Sequence, residues 1–492
     1  MTALECFLAP YPVASVPPVL ARHLDDDGWQ ALRSALAVEA WDLTGLWHDG
    51  GDVLATLVDP GDGTLALVRH RPNPASGGWG SLGGLRPGAI RLERTVVDRG
   101  GPRPADATDR RPWLDHQAQP TLGYRFLPVE GEGLHQVPVG PVHAGIIEPG
   151  HFRFHAQGEA VVRLEARLGY VRKGMLEAMV GRAPGDAAVL AGRLSGDTTV
   201  AHSIAFARAV EAALGIAVPA RAHWLRAVML EVERLANHFG DCGAIANDAA
   251  FALLHMECGR ARERIARTAA PLFGHRLMMD RVVPGGVAVD PDDRDIAALS
   301  ALLPILAEHL AAYRRTYRGL PSLLDRTLTT GRIAPALARC YAAGGVVGRA
   351  SGQAIIPGQD ARTRSGVPPY DMLPVVPVGR DAGDVDARVQ VRLDEIEASL
   401  ALIAAMIEHM PRGEVRVVLP DTSGDGLGWA EGFRGDCQWW VRLEHGKVAA
   451  VFGRDPSWFH WPLLEAAIDG NIIADFPLIN KSINGSYSGV DL

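Results

Sequence analysis

Five cysteines, Cys6, Cys242, Cys258, Cys340 and Cys437, set the terms on which this chain of 492 residues can fold. Their number is odd and no two form a C-x-x-C pair. Neither a disulfide framework nor a Cys-rich zinc or iron–sulfur site is therefore expected. The fold must rest on its hydrophobic core, and a chain this long, 47% hydrophobic, can bury one without a covalent staple. At about 100–200 residues per domain, two to four domains are expected. Free thiols fit a reduced, cytoplasmic setting.

The formal net charge is −8 and the pI about 6.1, which argues against a general binder of nucleic acid. Lys173, Lys447 and Lys481 are the only lysines. The wealth of Ala, Gly, Pro and Arg reads as codon bias before it reads as arginine chemistry. No arginine precedes Arg22, so a cationic leader is not expected. The apolar stretch 6–21 holds Pro10, Pro12, Pro17 and Pro18, which forbid a regular helix. The next apolar run, Ile296 to Ala307, is interrupted by Ser300 and Pro304 and falls short of the ~20 residues a spanning helix needs. A chain that docks on a membrane without crossing it is the expectation.

Periodicity divides the chain. Residues 1–135 read as a small α/β unit, with a helix over Trp29–Ala40 and strands at Val53–Val58 and Leu65–Val68 around the turn Asp59-Pro60-Gly61-Asp62-Gly63. Residues 136–492 read as a larger, mainly helical domain with a small C-terminal β portion, giving an α+β protein overall. Helical patterns dominate from Gly158 to about Gly274. After Pro219, Leu225, Val228, Met229, Val232, Leu235, Ala236 and Phe239 fall on one helical face. Leu393, Ile396, Leu400, Ile403 and Ile407 mark a second clear helix. Beyond Pro411 the pattern is β-like, with a strand at Val415–Leu419 and a hairpin from Gln438–Leu443 to Val448–Phe452. The polar, Gly/Ser-rich tail Asn480–Leu492 reads as disorder.

Three clusters carry candidate chemistry. The loop from Gly140 to His151 sets Glu148 among apolar residues with His143 and His151 nearby, and a desolvated glutamate relays protons near neutral pH. A hydrogen-bonded turn is the plainer reading. In Arg193–Ser203, Ser195, Asp197 and Thr198 suit a helix N-cap better than a Ser/His/Asp triad with His202. His255, Cys258 and Cys242 share a helical stretch and read as core packing more than as metal ligands. No P-loop and no G-x-G-x-x-G after a strand is present, so binding of ATP or NAD is unsupported.

Taken in order, several segments resemble the fused large subunit of formate hydrogenlyase and other group 4 membrane-bound nickel–iron hydrogenases. They are Ala89–Arg94, Arg111–Asp115, GPVHAGIIEPGHFRF (140–154), AHSIAFARAVEAALGI (201–216), GRASG (348–352) and PRGE (411–414). The second part is also similar to the quinone-site subunit of respiratory complex I, and the first to its small hydrophilic subunit. The resemblance implies partners: a small iron–sulfur subunit carrying the nearest cluster, a ferredoxin-like subunit and antiporter-like membrane subunits. It implies a peripheral place on the cytoplasmic face of the membrane.

The departures are specific. Where the family carries R-x-C-G-x-C-x-x-A-H-S, this chain has Ser195 and Thr198 at the cysteine positions; where it carries D-P-C-x-x-C, it has Ser486 and Gly489. All four nickel ligands are gone, so no nickel–iron centre, no other metal and no hydrogen turnover are expected of this chain. The complex I tyrosine and histidine that hold a quinone fall on Gly196 and Ile147, leaving Tyr487 as a conceivable substitute and quinone binding open. What the resemblance leaves is a proton-handling frame of Glu148, His202 and the newcomer Asp197. A small polar cavity is expected, filled by Ser195, Asp197, Thr198, Ser486 and water. Three functions compete: a subunit completing a redox site, a non-catalytic scaffold or coupling element, and a free-standing protein.

Overall fold

The computed structural model describes residues 2–114, 124–145, 147–353, 362 and 368–492. Asp115 and Ile146 of the quoted motifs lie outside them. The expected α+β class is observed.

The N-terminal sheet has four strands, β1 (Leu20–Leu24), β2 (Asp42–Asp49), β3 (Asp52–Val58) and β4 (Leu65–His70), in the order β1-β4-β3-β2. β1 runs parallel to β4 and the other pairs are antiparallel. Every residue of β3 is buried, Asp52 and Thr56 included, as in a strand covered on both faces. The first long helix spans Asp26–Leu36 and not Trp29–Ala40, because Asp25 caps it, accepting from Gly28 N at 2.8 Å.

A second sheet, β5 (Leu134–Val139), β6 (His151–Gln157) and β7 (Ala160–Arg167), is antiparallel, and the Gly140 loop joins β5 to β6. A boundary after residue 135 falls inside β5. Helical structure begins only at Met175, later than the pattern from Gly158 suggests, since β7 occupies the start. The helices Thr199–Leu214, Ala220–Asp248, Ala252–Phe273, Asp293–Arg318 and Val385–His409 form the bundle of the larger part. A short ribbon, β8 (Val282–Val283) and β9 (Gly286–Val287), precedes the C-terminal sheet of β10 (Gly424–Gly432), β11 (Gly435–Glu444) and β12 (Lys447–Arg454). The expected hairpin is β11–β12. The expected strand at Val415–Leu419 is not formed. Only Arg416 bridges the ribbon, at Gly286, with Val417 N donating to Gly285 O at 3.0 Å.

One packing feature places the site. Gly424, Gly426 and Gly428 alternate along β10 and let the Thr199–Leu214 helix rest directly on the strand. A Cβ at Gly426 would lie 2.1 Å from Ala209 O and one at Gly428 2.3 Å from Ala205 O. The two parts of the chain share one core. Trp47 of β2 stacks on Phe452 of β12 with centroids 4.8 Å apart, and Thr56 and Gln438 hydrogen-bond at 3.1 Å.

The tail is ordered, against expectation. Phe476–Ile483 is helical, and Asn484 ends that helix in the left-handed region at φ 54. Asp491 accepts from Gly169 N and Val171 N, and Leu492 is buried. Its polar residues find internal partners, which composition does not register. The apolar run around Ile296 is also unbroken: Pro304 sits inside the helix Asp293–Arg318, long and apolar enough by composition to cross a membrane. Its Leu299, Leu302, Leu303, Leu306, Leu310, Tyr313 and Tyr317 nevertheless face the core. All five cysteines are free; Cys242 and Cys258 pack in the core, as expected, while His255 is exposed.

Candidate functional site

The segment after Arg193 enters a short 3-10 turn, Gly196–Thr198, and runs straight into the Thr199–Leu214 helix. None of Ser195, Asp197 and Thr198 caps that helix, contrary to the sequence reading. The cap comes from a neighbouring helix: Glu233 accepts from Val200 N at 2.7 Å and Ala201 N at 3.2 Å. The hydroxyls and carboxylate so released turn toward each other.

The tail closes the other side. Ser486 Oγ lies 2.8 Å from Ser195 Oγ, Ser195 Oγ donates to Asp197 Oδ1 at 3.0 Å, and Gly489 N donates to Ser486 Oγ at 3.0 Å. The four positions Ser195, Thr198, Ser486 and Gly489 therefore do converge. A side chain at Gly489 is excluded: its Cβ would meet Asp455 Cγ at 2.7 Å.

A guanidinium enters the space beside them. Arg434, in the tight turn joining β10 to β11, grips both oxygens of Asp197. Its Nη1 lies 2.7 Å from Oδ1 and its Nη2 2.5 Å from Oδ2. Nη1 also donates to Thr198 Oγ1 at 2.6 Å and Nε to Asn484 O at 2.5 Å. Desolvation opposes ionisation of Asp197, which still keeps 39% of its side-chain surface. The Arg434 charge outweighs it and holds the carboxyl well below the usual carboxylate range.

Behind this pair, no such cation contacts Glu233 among the described residues. Burial pushes its carboxyl up to about 8, against the two backbone N–H groups it accepts from, and the Asp197 charge pushes the same way. His202 is fully buried. The Trp439 indole N–H, a donor only, points at His202 Nδ1 from 3.1 Å, so Nε2 carries the proton and donates to Asp455 Oδ2 at 3.0 Å. Burial raises Asp455, but the hydrogen bond from His202, with the Arg434 charge and the Ser457 N–H, outweighs this and holds it at about 2. Cys437 Sγ lies 3.7 Å from His202 Nε2, and burial, with Asp455 beside it, raises the thiol well above its ordinary value.

Glu148 is exposed and hydrogen-bonded, so the plainer of the two readings describes it and the desolvated glutamate does not. Its bond is to Ser488 N, 3.3 Å from Oε2. The two histidines of the loop serve the backbone instead: His143 Nε2 contacts Gly150 O at 2.7 Å and His151 Nδ1 contacts Gly140 O at 3.1 Å. The hydroxyls of Ser488, Ser486 and Ser195 form a line that ends on Asp197, with Ser488 Oγ 3.5 Å from Ser486 Oγ, and Glu148 meets that line at the Ser488 backbone N–H. Ile147 is 52% exposed, and Tyr487 is packed against Trp461 with centroids 4.7 Å apart.

Arg434, Asp455 and Glu233 are the residues that sequence reasoning missed. A signal existed only for Glu233, a carboxylate inside an otherwise apolar helical pattern. Arg434 and Asp455 sit in turns, where pattern says nothing about what they face.

Known proteins resemble this chain in sequence and in fold. Residues 249–425 match the family model of the respiratory-chain NADH dehydrogenase 49 Kd subunit, and residues 173–240 that of nickel-dependent hydrogenase. Formate hydrogenlyase subunit 5 of Escherichia coli (strain K12) is 31% identical over 436 residues, covering 82% of this chain and 75% of its own. The carbon monoxide-induced hydrogenase of Rhodospirillum rubrum is 30% identical over 72% of this chain and 98% of its own. Among solved structures, a chain of the membrane-bound sulfane sulfur reductase, an archaeal respiratory membrane complex, shares the fold. Its TM-score is 0.69 at 23% identity, over 74% of this chain and 100% of that one.

Proposed function

The chain belongs to the group 4 membrane-bound hydrogenase and complex I-like family, and from that premise we propose that it is a peripheral subunit of a membrane-bound oxidoreductase complex. In this reading it has no nickel–iron centre and couples electron transfer to proton translocation. The observation that carries the reading is the place of Arg434. Nickel in a site of this kind calls for soft, anionic sulfur. Ser195, Thr198 and Ser486 offer hard, neutral hydroxyls, Gly489 offers nothing, and a guanidinium, itself a cation, donates to Thr198 and Asp197 beside them. These residues do not fit a nickel–iron group. His202, Cys437 and Asp455 bring their ligand atoms within 4.8 Å of one another, and here His202 Nε2 and Asp455 Oδ2 are bonded to each other at 3.0 Å. For a quinone, Gly196 and Ile147 bring no polar side chain, and Tyr487 packs against Trp461 with its hydroxyl bonded to Asn480, so no step follows through that group.

The residues that remain handle protons. Glu148 stands at the surface on the Ser488 N–H, and the hydroxyls of Ser488, Ser486 and Ser195 lead from there to Asp197, whose carboxylate Arg434 holds ionised. In the complex, a small iron–sulfur subunit covers the Glu148 face, a ferredoxin-like subunit follows it, and antiporter-like subunits lie in the membrane. The chain itself sits on the cytoplasmic face. The closed Asp197–Arg434 pair favours a second version of the same reading, a coupling or scaffold subunit with no redox chemistry of its own.

The test is purification of the tagged full chain from its native membranes. Co-purifying iron–sulfur and integral membrane proteins, with nickel far below one per chain by elemental analysis, are expected. Stoichiometric nickel overturns the metal-free reading, and a chain recovered alone overturns the subunit reading.

A further inference from the structure

Away from this site, a cavity of about 290 Å³ opens between the N-terminal arm, β10 and the loop that links the Thr199–Leu214 and Ala220–Asp248 helices. Pro18, Ile216, Val218 and Leu427 make its walls apolar, and Arg208, His223 and Trp429 add polar groups. Cavities of this size and make-up are typical of small-molecule sites.

Arg208 is the anomaly. Its one hydrogen bond runs from Nη1 to Trp429 O at 2.7 Å, its Nε is buried without a partner, and no carboxylate pairs with it among the described residues. The acid that lines the same cavity, Glu211, is already committed. It accepts from Arg226 at 3.0 and 2.5 Å and from Gly285 N at 2.8 Å. Burial and the nearby Arg226 charge pull the Arg208 guanidinium down to about 10. A cation left this way in a cavity wall is costly unless an anion completes it. His223 stands opposite as a neutral imidazole, held at about 4 by burial and the two arginines, with Nδ1 unpartnered. A single cation, a neutral hydrogen-bonding ring and apolar walls suit a singly charged ligand with a hydrophobic body better than a multiply charged phosphate.

We propose that this cavity binds a small carboxylate with an apolar or aromatic body, the carboxylate on Arg208 and the body against Pro18, Ile216, Val218 and Trp429. The site is independent of the metal-free pocket, and its failure would leave the subunit reading untouched.

Benzoate, its neutral isostere benzamide and inorganic phosphate probe the purified full chain or its complex by isothermal titration and thermal shift. Saturable benzoate binding, with no comparable response to benzamide or phosphate, is expected. In Arg208→Gln, checked for native circular dichroism, benzoate affinity falls by about thirtyfold or more, the scale for losing one partner of a buried charge pair. Arg208→Lys keeps the charge without the fork and retains weakened binding, which separates loss of the anion site from loss of the fold. Equal binding of benzoate and benzamide, tighter binding of phosphate, benzoate binding unchanged in folded Arg208→Gln, or no benzoate binding by the wild-type chain overturns the proposal.

Discussion

Arg434 and Asp197 stand 237 positions apart in sequence and meet through two parallel hydrogen bonds, at 2.7 and 2.5 Å. The pair is lopsided. Arg434 is 4% exposed by its side chain, whereas Asp197 keeps 39%. In Asp197→Asn the guanidinium stays buried and loses its counter-charge, while the asparagine retains one acceptor. Solvent near Asp197 softens the penalty, so the variant should lose about 2 kcal/mol, below the range for a fully buried pair. The urea denaturation midpoint of the purified chain measures it; an unchanged midpoint would show that the pair is not structural.

Gly489 makes a steric prediction. Any side chain there presses on Asp455, which fixes the proton position of His202. Gly489→Ala should destabilise by about 1–3 kcal/mol, the usual cost of overpacking. Gly489→Cys should do the same and bind no nickel, since Arg434 remains. A neutral stability change for Gly489→Ala would mean that Asp455 moves freely.

Ser486 is the middle of the inward line, 2.8 Å from Ser195 and 3.5 Å from Ser488. Ser486→Ala removes a hydroxyl without adding volume and leaves Gly489 N and Ser195 without that partner. Stability should fall by about 1 kcal/mol. Proton translocation by the reconstituted complex, followed with a pH-sensitive dye in vesicles, should slow severalfold in both Ser486→Ala and Glu148→Gln. Full transport in both variants would remove the serine line from the mechanism.

How much of this was legible depended on range. The helix Val385–His409 and the β11–β12 hairpin show their period locally, so Leu393 to Ile407 and Gln438 to Phe452 could be read directly. Val415–Leu419 has the same period-two composition but meets only the two-residue ribbon, so it stays extended without a ladder. The tail has no periodicity at all; its order comes from Ser457, Gly169 and Val171, partners that composition cannot name. At the site, the convergence of Ser195, Thr198, Ser486 and Gly489 followed from the family resemblance. That the space is taken by a guanidinium did not, because the Phe433–Arg434 turn carries no sign of what it points at. The exposure of Glu148 also escaped the sequence, since an apolar neighbourhood in sequence is not burial in space.

Glu233 supplies the last prediction, and it concerns pH. Its carboxyl is raised to about 8 in the folded chain, chiefly by burial, against an ordinary value near 4.5. A raised carboxyl favours the folded state most where it is protonated in both states. That contribution is complete below about pH 4.5 and is lost progressively as pH rises toward 8, by up to about 1.4 kcal/mol per pH unit. Glu233→Gln keeps an acceptor for the shorter bond from Val200 N, forfeits the 3.2 Å bond from Ala201 N, and cannot ionise. The variant should therefore be slightly less stable than the wild-type chain at pH 5 and clearly more stable at pH 8. Guanidinium denaturation of both proteins at the two pH values isolates the effect, because titrating groups that do not interact with Glu233 cancel in the difference. A stability difference that is the same at pH 5 and pH 8 would mean that Glu233 is ionised throughout, with Val200 N, Ala201 N and the helix N-terminus compensating its burial.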